Sequence, residues 1–173
     1  FILGCTFGLT FLTLSVYLDG AEIKLLEESA FQAVSIATTT GFLTSNYSNW
    51  PLFVPILLLT AAFIGACAGS TGGGIKVIRT LILAKQSAGE LIKLIHPNAV
   101  ISIKLGKKAV SPRVAESVWG FFSIYVIVFI ILFMVLLAQG NDFITSFSAV
   151  GATLNNLGPG LGDVSNNYQL LSD

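Results

Sequence analysis

Two short turns carry the residue types that could do chemistry. Thr38-Thr39-Thr40-Gly41-Phe42 closes one helical stretch, and Asn155-Asn156-Leu157-Gly158-Pro159 closes another. Neither offers a nucleophile, a metal cluster or an acid–base pair, so no enzyme is expected. What each offers is backbone carbonyls beside a glycine that takes positive φ at no steric cost. Carbonyls turned inward in such a turn can replace the water shell of a cation. The candidate ligands are the carbonyls of Thr39, Thr40 and Gly41 in the first turn, and of Asn156, Leu157 and Gly158 in the second. Side chains would mainly support the turns.

The elements that must position these turns can be read next. Residues 27–42 are too short and too polar to cross a bilayer, yet lie between two apolar runs long enough to do so. A weaker copy follows, with Phe31-Gln-Ala-Val-Ser35 recurring as Phe147-Ser-Ala-Val-Gly151. Non-helical backbone at membrane depth is tolerated only where it lines water or is buried in protein. A re-entrant helix that stops in a glycine turn therefore predicts a pore. Its partially negative C-terminus favours a cation at the membrane centre. One turn alone could equally cap a short helix buried between spans; two in equivalent positions favour the pore.

Composition agrees. The 173 residues are 54% hydrophobic and 10% charged, with mean hydropathy +0.83, against about 25% charged in a soluble domain. The expectation is an all-α polytopic membrane protein, with the bilayer as a partner. Net charge is zero, and no nucleic acid partner is expected. Cys5 and Cys67 lie in apolar runs and read as structural thiols. The chain opens inside an apolar segment without an initiating Met, so it reads as a piece of something longer.

In order, residues 1–18 form an outer helix. A pore helix over 25–38 has Glu27, Glu28 and Ser29 at its start, where acidic and capping residues suit the helix dipole. Filter residues 39–42 follow. Trp50 and Pro51 open a second span to Ala68, broken at Gly69-Ser70-Thr71-Gly72-Gly73-Gly74 and resuming as a basic helix from Ile75. This makes residues 50–85 a broken inner helix. Residues 86–113 are a polar connection with a short helix over 88–95, ended by Pro97. Pro112 starts the third span, about 119–138. Asn141 or Asp142 caps a second pore helix over 143–152, and the chain turns at 155–162. Residues 1–85 and 114–173 thus read as two repeats of outer helix, re-entrant pore helix, filter loop and inner helix, the second lacking its inner helix.

Charge gives the orientation. Eight of the nine Lys and Arg lie between Lys76 and Arg113, which makes residues 76–116 cytoplasmic by the positive-inside rule. Both turns then enter from outside. That face holds Asp19, Glu22, Glu27, Glu28, Asp142, Asp163 and Asp173 against Lys24 alone. Such a vestibule concentrates cations.

Thr-Thr-Thr-Gly-Phe after a pore helix, an inner span broken by Gly-Ser-Thr-Gly-Gly-Gly-Ile-Lys, and the later Asn-Asn-Leu-Gly-Pro-Gly-Leu-Gly together resemble the Trk/Ktr/HKT superfamily of potassium transporters. The last motif is most similar to the bacterial Trk branch. The resemblance covers the whole chain and implies pseudo-fourfold repeats around one pore, of which this chain holds the third and most of the fourth. It implies a filter glycine at Gly41 and at Gly158, potassium as the transported ion, and no organic cofactor. It makes Gly69 through Gly74 an intramembrane gating loop, with Lys76 either touching that loop or snorkelling to the cytoplasm. It further implies a homodimer in the bacterial inner membrane and a cytoplasmic nucleotide-binding regulatory subunit meeting residues 76–116. The fourth turn is longer than that of the Ktr branch, so matching its ligands requires an insertion.

Other readings are weaker. A phosphate loop needs Lys directly after the last glycine, and here Ile75 intervenes. His96 has no ligand partner nearby. A secondary transporter, coupling a solute to sodium or protons through broken helices, remains the alternative, although its spans would be expected to carry ionisable residues and these do not.

Overall fold

The computed structural model describes residues 2–17, 22–45, 47–65, 67, 69–70, 72–99, 103–106, 108–165, 167–169 and 171. Phe1 and Leu18 at the ends of the first span, Ala68 at the expected end of the second, Thr71 of the glycine loop, and Asp19 and Asp173 lie outside them. Six α-helices form the described architecture, with a two-residue hairpin between the fourth and fifth.

Helices α1 (Ile2–Tyr17), α2 (Glu22–Ala37) and α3 (Phe53–Ile64) pack against one another. Helix α1 is mostly apolar. Its buried Thr6 and Thr10 donate their hydroxyls to the Leu3 and Phe7 carbonyls (3.0 and 2.9 Å), which satisfies them without water. Helix α2 starts three residues earlier than its sequence suggests. Glu27, Glu28 and Ser29 therefore fall past the first turn. Ser29 is fully buried and donates back to the Leu26 carbonyl, so it is not a helix cap. The extra turn comes from Glu22-Ile-Lys, whose mixed charge reads as loop.

Helix α3 has 12 residues, about 18 Å against a hydrocarbon core of roughly 30 Å. It cannot cross alone. It stops at Gly65, four residues before the expected break, and the chain returns where the Ile75 amide donates to the Phe63 carbonyl (3.0 Å). Helix α4 (Val77–Ile95) then runs unbroken, where the sequence suggests two pieces. Gly89, costly in a helix interior by about 1 kcal/mol, is buried here. A hairpin pairing Lys104–Leu105 with Lys108–Ala109 follows, and its polar residues hid it in the sequence. Ile82 of α4 packs on Ala115 and Val118 of α5 (Pro112–Ala138), with Leu105 of the hairpin against them. The Arg79 guanidinium lies 4.3 Å from the Phe121 ring centroid.

Helix α5 has 27 residues and is, among those described, the one helix long and apolar enough to cross a membrane. Its inner side carries Phe129 and Phe133, which pack on Phe147 and, through Phe129, on Phe63 of α3. Phe147 belongs to α6 (Phe143–Leu154), the second pore helix. Seven α6 residues are buried, all small except Val150: Thr145, Ser146, Ser148, Ala149, Val150, Gly151 and Ala152. Small side chains let neighbouring backbones approach closely. One core, including Ala33, Ile36, Leu58, Ala62, Ala152 and Leu157, joins the two repeats.

Of the two candidate caps on α6, Asp142 serves. Its carboxylate accepts the Ile144 amide at 3.1 Å. Asp142→Ala should lower the unfolding free energy of the full-length protein by about 1 kcal/mol, read as a lower thermal midpoint in detergent, while Asp142→Asn should retain most of it.

Candidate ion-binding turns and glycine loop

Both pore helices end in the same hydrogen-bond pattern. After α2, the Thr39 amide donates to Ile36 and the Thr40 amide to Ser35. After α6, the Asn156 amide donates to Thr153 and the Leu157 amide to Ala152. This pair of bonds is the Schellman helix end, with its left-handed residue at Thr39 and at Asn156. Their φ angles are 56° and 54°, and Gly41 and Gly158 follow at 81° and 99°. The backbone therefore equates Thr39, Thr40 and Gly41 with Asn156, Leu157 and Gly158. The sequence echo from Phe31 to Phe147 runs one residue out of this register, because it would pair Thr39 with Asn155.

Sequence reasoning missed the groups that hold the turns. The Ser35 carbonyl accepts the Thr40 and Gly41 amides, and its hydroxyl donates to the Phe42 carbonyl at 2.7 Å. Ser148 does the comparable work on α6, accepting the Leu161 amide at 2.8 Å. The Tyr47 hydroxyl donates to the Gly160 carbonyl at 2.7 Å, tying the exit of one turn to the other; burial pushes this phenol well above its ordinary pKa. The available signal was serine on the buried face of each pore helix. The side chain of Asn155 is enclosed, donating to the Gly151 carbonyl at 2.7 Å and accepting the Tyr125 hydroxyl at 2.8 Å.

The two turns touch. A Cβ added to Gly41 would overlap the Leu157 carbonyl oxygen, so two candidate ligand segments lie side by side. Gly41 and Gly158 line one cavity of about 480 Å³ with Phe42, Leu43, Pro159, Ser165 and Tyr168. The carbonyls of Thr39, Thr40, Gly41, Asn156 and Leu157 accept no hydrogen bond among the described residues. That of Gly158 accepts the Tyr168 hydroxyl.

The glycine loop also reaches these turns. Its neck closes where Gly65 meets Gly73 and Gly74: a Cβ on Gly65 would lie 2.7 Å from the Gly73 carbonyl oxygen. The Gly73 amide donates to Thr39 Oγ1 at 3.2 Å, and a Cβ on Gly73 would overlap the Asn155 carbonyl. Gly73 thus sits against the helix ends of both repeats. Lys76, itself at φ 76°, turns its ammonium back onto the Ser70 carbonyl (2.8 Å), the Ser70 hydroxyl (3.2 Å) and the Gly72 carbonyl. The Lys76 side chain thus touches the loop residues Ser70 and Gly72. Gly69 stands free of close neighbours.

Comparison with known proteins gives the family and the overall fold. Residues 22–172 match the family described as TrkH, cation transport protein. The chain is 56% identical over 148 residues to the Trk system potassium uptake protein TrkH of Salmonella typhimurium, covering 86% of this chain and 31% of that protein. It is 43% identical over 145 residues to TrkG of Escherichia coli, covering 84% and 30%. The crystal structure of the potassium transporter TrkH from Vibrio parahaemolyticus superposes with a TM-score of 0.88 at 50% identity, over 96% of this chain and 36% of that one. The chain therefore spans about a third of the length of the relatives it matches. Its fold is that of an all-α membrane protein built on repeated outer and re-entrant helices, and the chain belongs to the TrkH cation transport family.

Proposed function

We propose that this chain supplies two of four repeats around a pore that passes potassium inward across a bacterial inner membrane. Residues 1–85 are the third repeat, 86–113 a cytoplasmic connection, and 114–173 most of the fourth. The observation that carries the reading is the row of backbone carbonyls at Thr39, Thr40, Gly41, Asn156 and Leu157. They stand at two helix C-termini and receive no hydrogen bond from the described residues. Carbonyl oxygens left free in this way can take the place of a cation's water shell, and in this reading a dehydrated cation is their partner. The relatives' names, Trk system potassium uptake proteins, support potassium as the cargo.

Each repeat contributes one glycine turn to the filter. In the second turn the Gly158 oxygen is shared with Tyr168, so Asn156 and Leu157 carry more of the coordination. The acidic outer residues, including the exposed Glu27, Asp142 and Asp163, draw cations to the mouth. Residues 76–116 face the cytoplasm, and their basic surface meets a nucleotide-binding regulatory subunit in a homodimeric assembly.

Gly69 to Gly74 form the gate. Seated below both turns, the loop blocks the exit, and Lys76 holds its shape. Opening means withdrawal of Gly73 from Thr39 and Asn155.

Two experiments test this. In the full-length protein, Gly41→Ser places a side chain at φ 81° against the Leu157 carbonyl, and should lower potassium over sodium discrimination in ion-replacement flux; unchanged selectivity would remove Gly41 from the filter. Gly73→Ala cannot seat beside Asn155 and should raise resting potassium flux, as should deletion of residues 69–74. A resting flux equal to wild type in both would exclude the loop as the gate.

A further inference from the structure

The contact between Thr39 and Gly73 joins two parts of the molecule that the proposed function treats separately. Thr39 is a filter residue and Gly73 a gate residue, 34 positions apart in the chain. Thr39 is also unusual in itself. A β-branched residue in the left-handed region is a steric outlier, and the equivalent position of the second turn holds Asn156, a residue type that tolerates it more readily. Glycine or asparagine would make the same turn with less strain. Neither would present a hydroxyl at the Cβ position.

The hydroxyl has a specific use. It accepts the Gly73 amide, whose donor has no other partner among the described residues. The main chain of Thr39 is held from the other direction by its amide bond to Ile36. Its side chain is stiff at χ1 because it is β-branched. A pull on the hydroxyl is therefore passed to the Thr39 backbone, whose carbonyl is a filter ligand. Around it, Thr38 and Thr40 share a hydrogen bond of 2.8 Å between their hydroxyls, so neighbouring side chains lock together on the same turn.

We infer that Thr39 is a positioning residue that couples the gate to the filter. Docking of the glycine loop holds the Thr39 hydroxyl and stabilises the closed gate; undocking releases it and loosens the first ion site. By reciprocity, an ion that orders the Thr39 carbonyl alters how firmly the loop seats. Selectivity then depends on gate position. The inference deepens the proposed gate reading and rests on it.

The test is flux of potassium and sodium through the full-length protein in proteoliposomes, without activating partner, for Thr39→Val and Thr39→Ser, each in the intact chain and with residues 69–74 deleted. Valine keeps the branching and loses the acceptor, so resting potassium flux should rise about five-fold, the value of one hydrogen bond. Serine keeps the acceptor and should give the smaller rise of the two. In the loop-deleted background Val and Ser should be equivalent, because the donor is gone. A Thr39→Val effect of equal size with and without the loop would place the residue's role in the filter alone and overturn the coupling. So would a Thr39→Val flux no higher than that of Thr39→Ser in the intact chain. If loop deletion by itself left resting flux unchanged, the gate reading would fail first, and the coupling with it.

Discussion

Thr39 and Asn156 hold positive φ at the ends of two helices that stop inside the protein. This conformation costs a non-glycine residue roughly 1–2 kcal/mol. The surrounding structure is arranged so that the cost is met. Each helix end keeps two of its last carbonyls bonded through the Schellman pattern, which leaves fewer backbone groups stranded where water is scarce. Ser35 and Ser148, on the buried faces of α2 and α6, then take the departing chain and fix its direction. Without that bracing the carbonyls that follow would turn to whichever donor was nearest. With it, a row of them stays free.

The interruption between α3 and α4 follows from the same constraint, that backbone in lipid must be satisfied or enclosed. Helix α3 ends well short of a full crossing, and in the proposed pore the loop after it would lie at membrane depth. Its exposed carbonyls are answered by one charge. The Lys76 ammonium has three donors, and Ser70 and Gly72 supply three acceptors. Lys76 begins the long basic helix α4, which Arg79 anchors to α5 through Phe121. The residue that grips the loop is thus also the N-cap of the helix that packs on α5.

Much of this was legible in the sequence because it depends on composition and period. The apolar runs marked where α1, α3 and α5 lie, Pro112 marked the start of α5, and the motifs marked the family. Boundaries were harder. Glu22-Ile-Lys looked like a loop because charge near a span end reads as solvent. Gly65 was overlooked because one glycine is quieter than four. The echo from Phe31 to Phe147 runs one residue out of the register of the turns, although the candidate ligands Thr39 to Gly41 and Asn156 to Gly158 were paired in it; the hydrogen bonds that define the turns belong to the backbone and leave no mark on residue type. The contacts among Gly41, Leu157, Gly73 and Asn155 were invisible for the same reason. They are backbone against backbone, and glycine reports only that something is near.

The loop's chemistry also bears on how firmly it can be held. Its described members from Gly69 to Gly74 are glycines and a serine, with no large apolar side chain to bury. Its grip on the pore helices is one amide bond to Thr39 and the close fit of Gly73 at Asn155. At about 1 kcal/mol net for a hydrogen bond, that bond by itself holds the loop weakly. For the proposed gate, a partner whose affinity differs between docked and withdrawn positions by a few powers of ten would move the loop from mostly closed to mostly open. A leucine or phenylalanine anchoring the loop would add about 1.5–3 kcal/mol of burial and hold it shut against such a partner. The run of glycines lets the loop approach two backbones closely and, for the proposed gate, would keep its seat weak enough to leave.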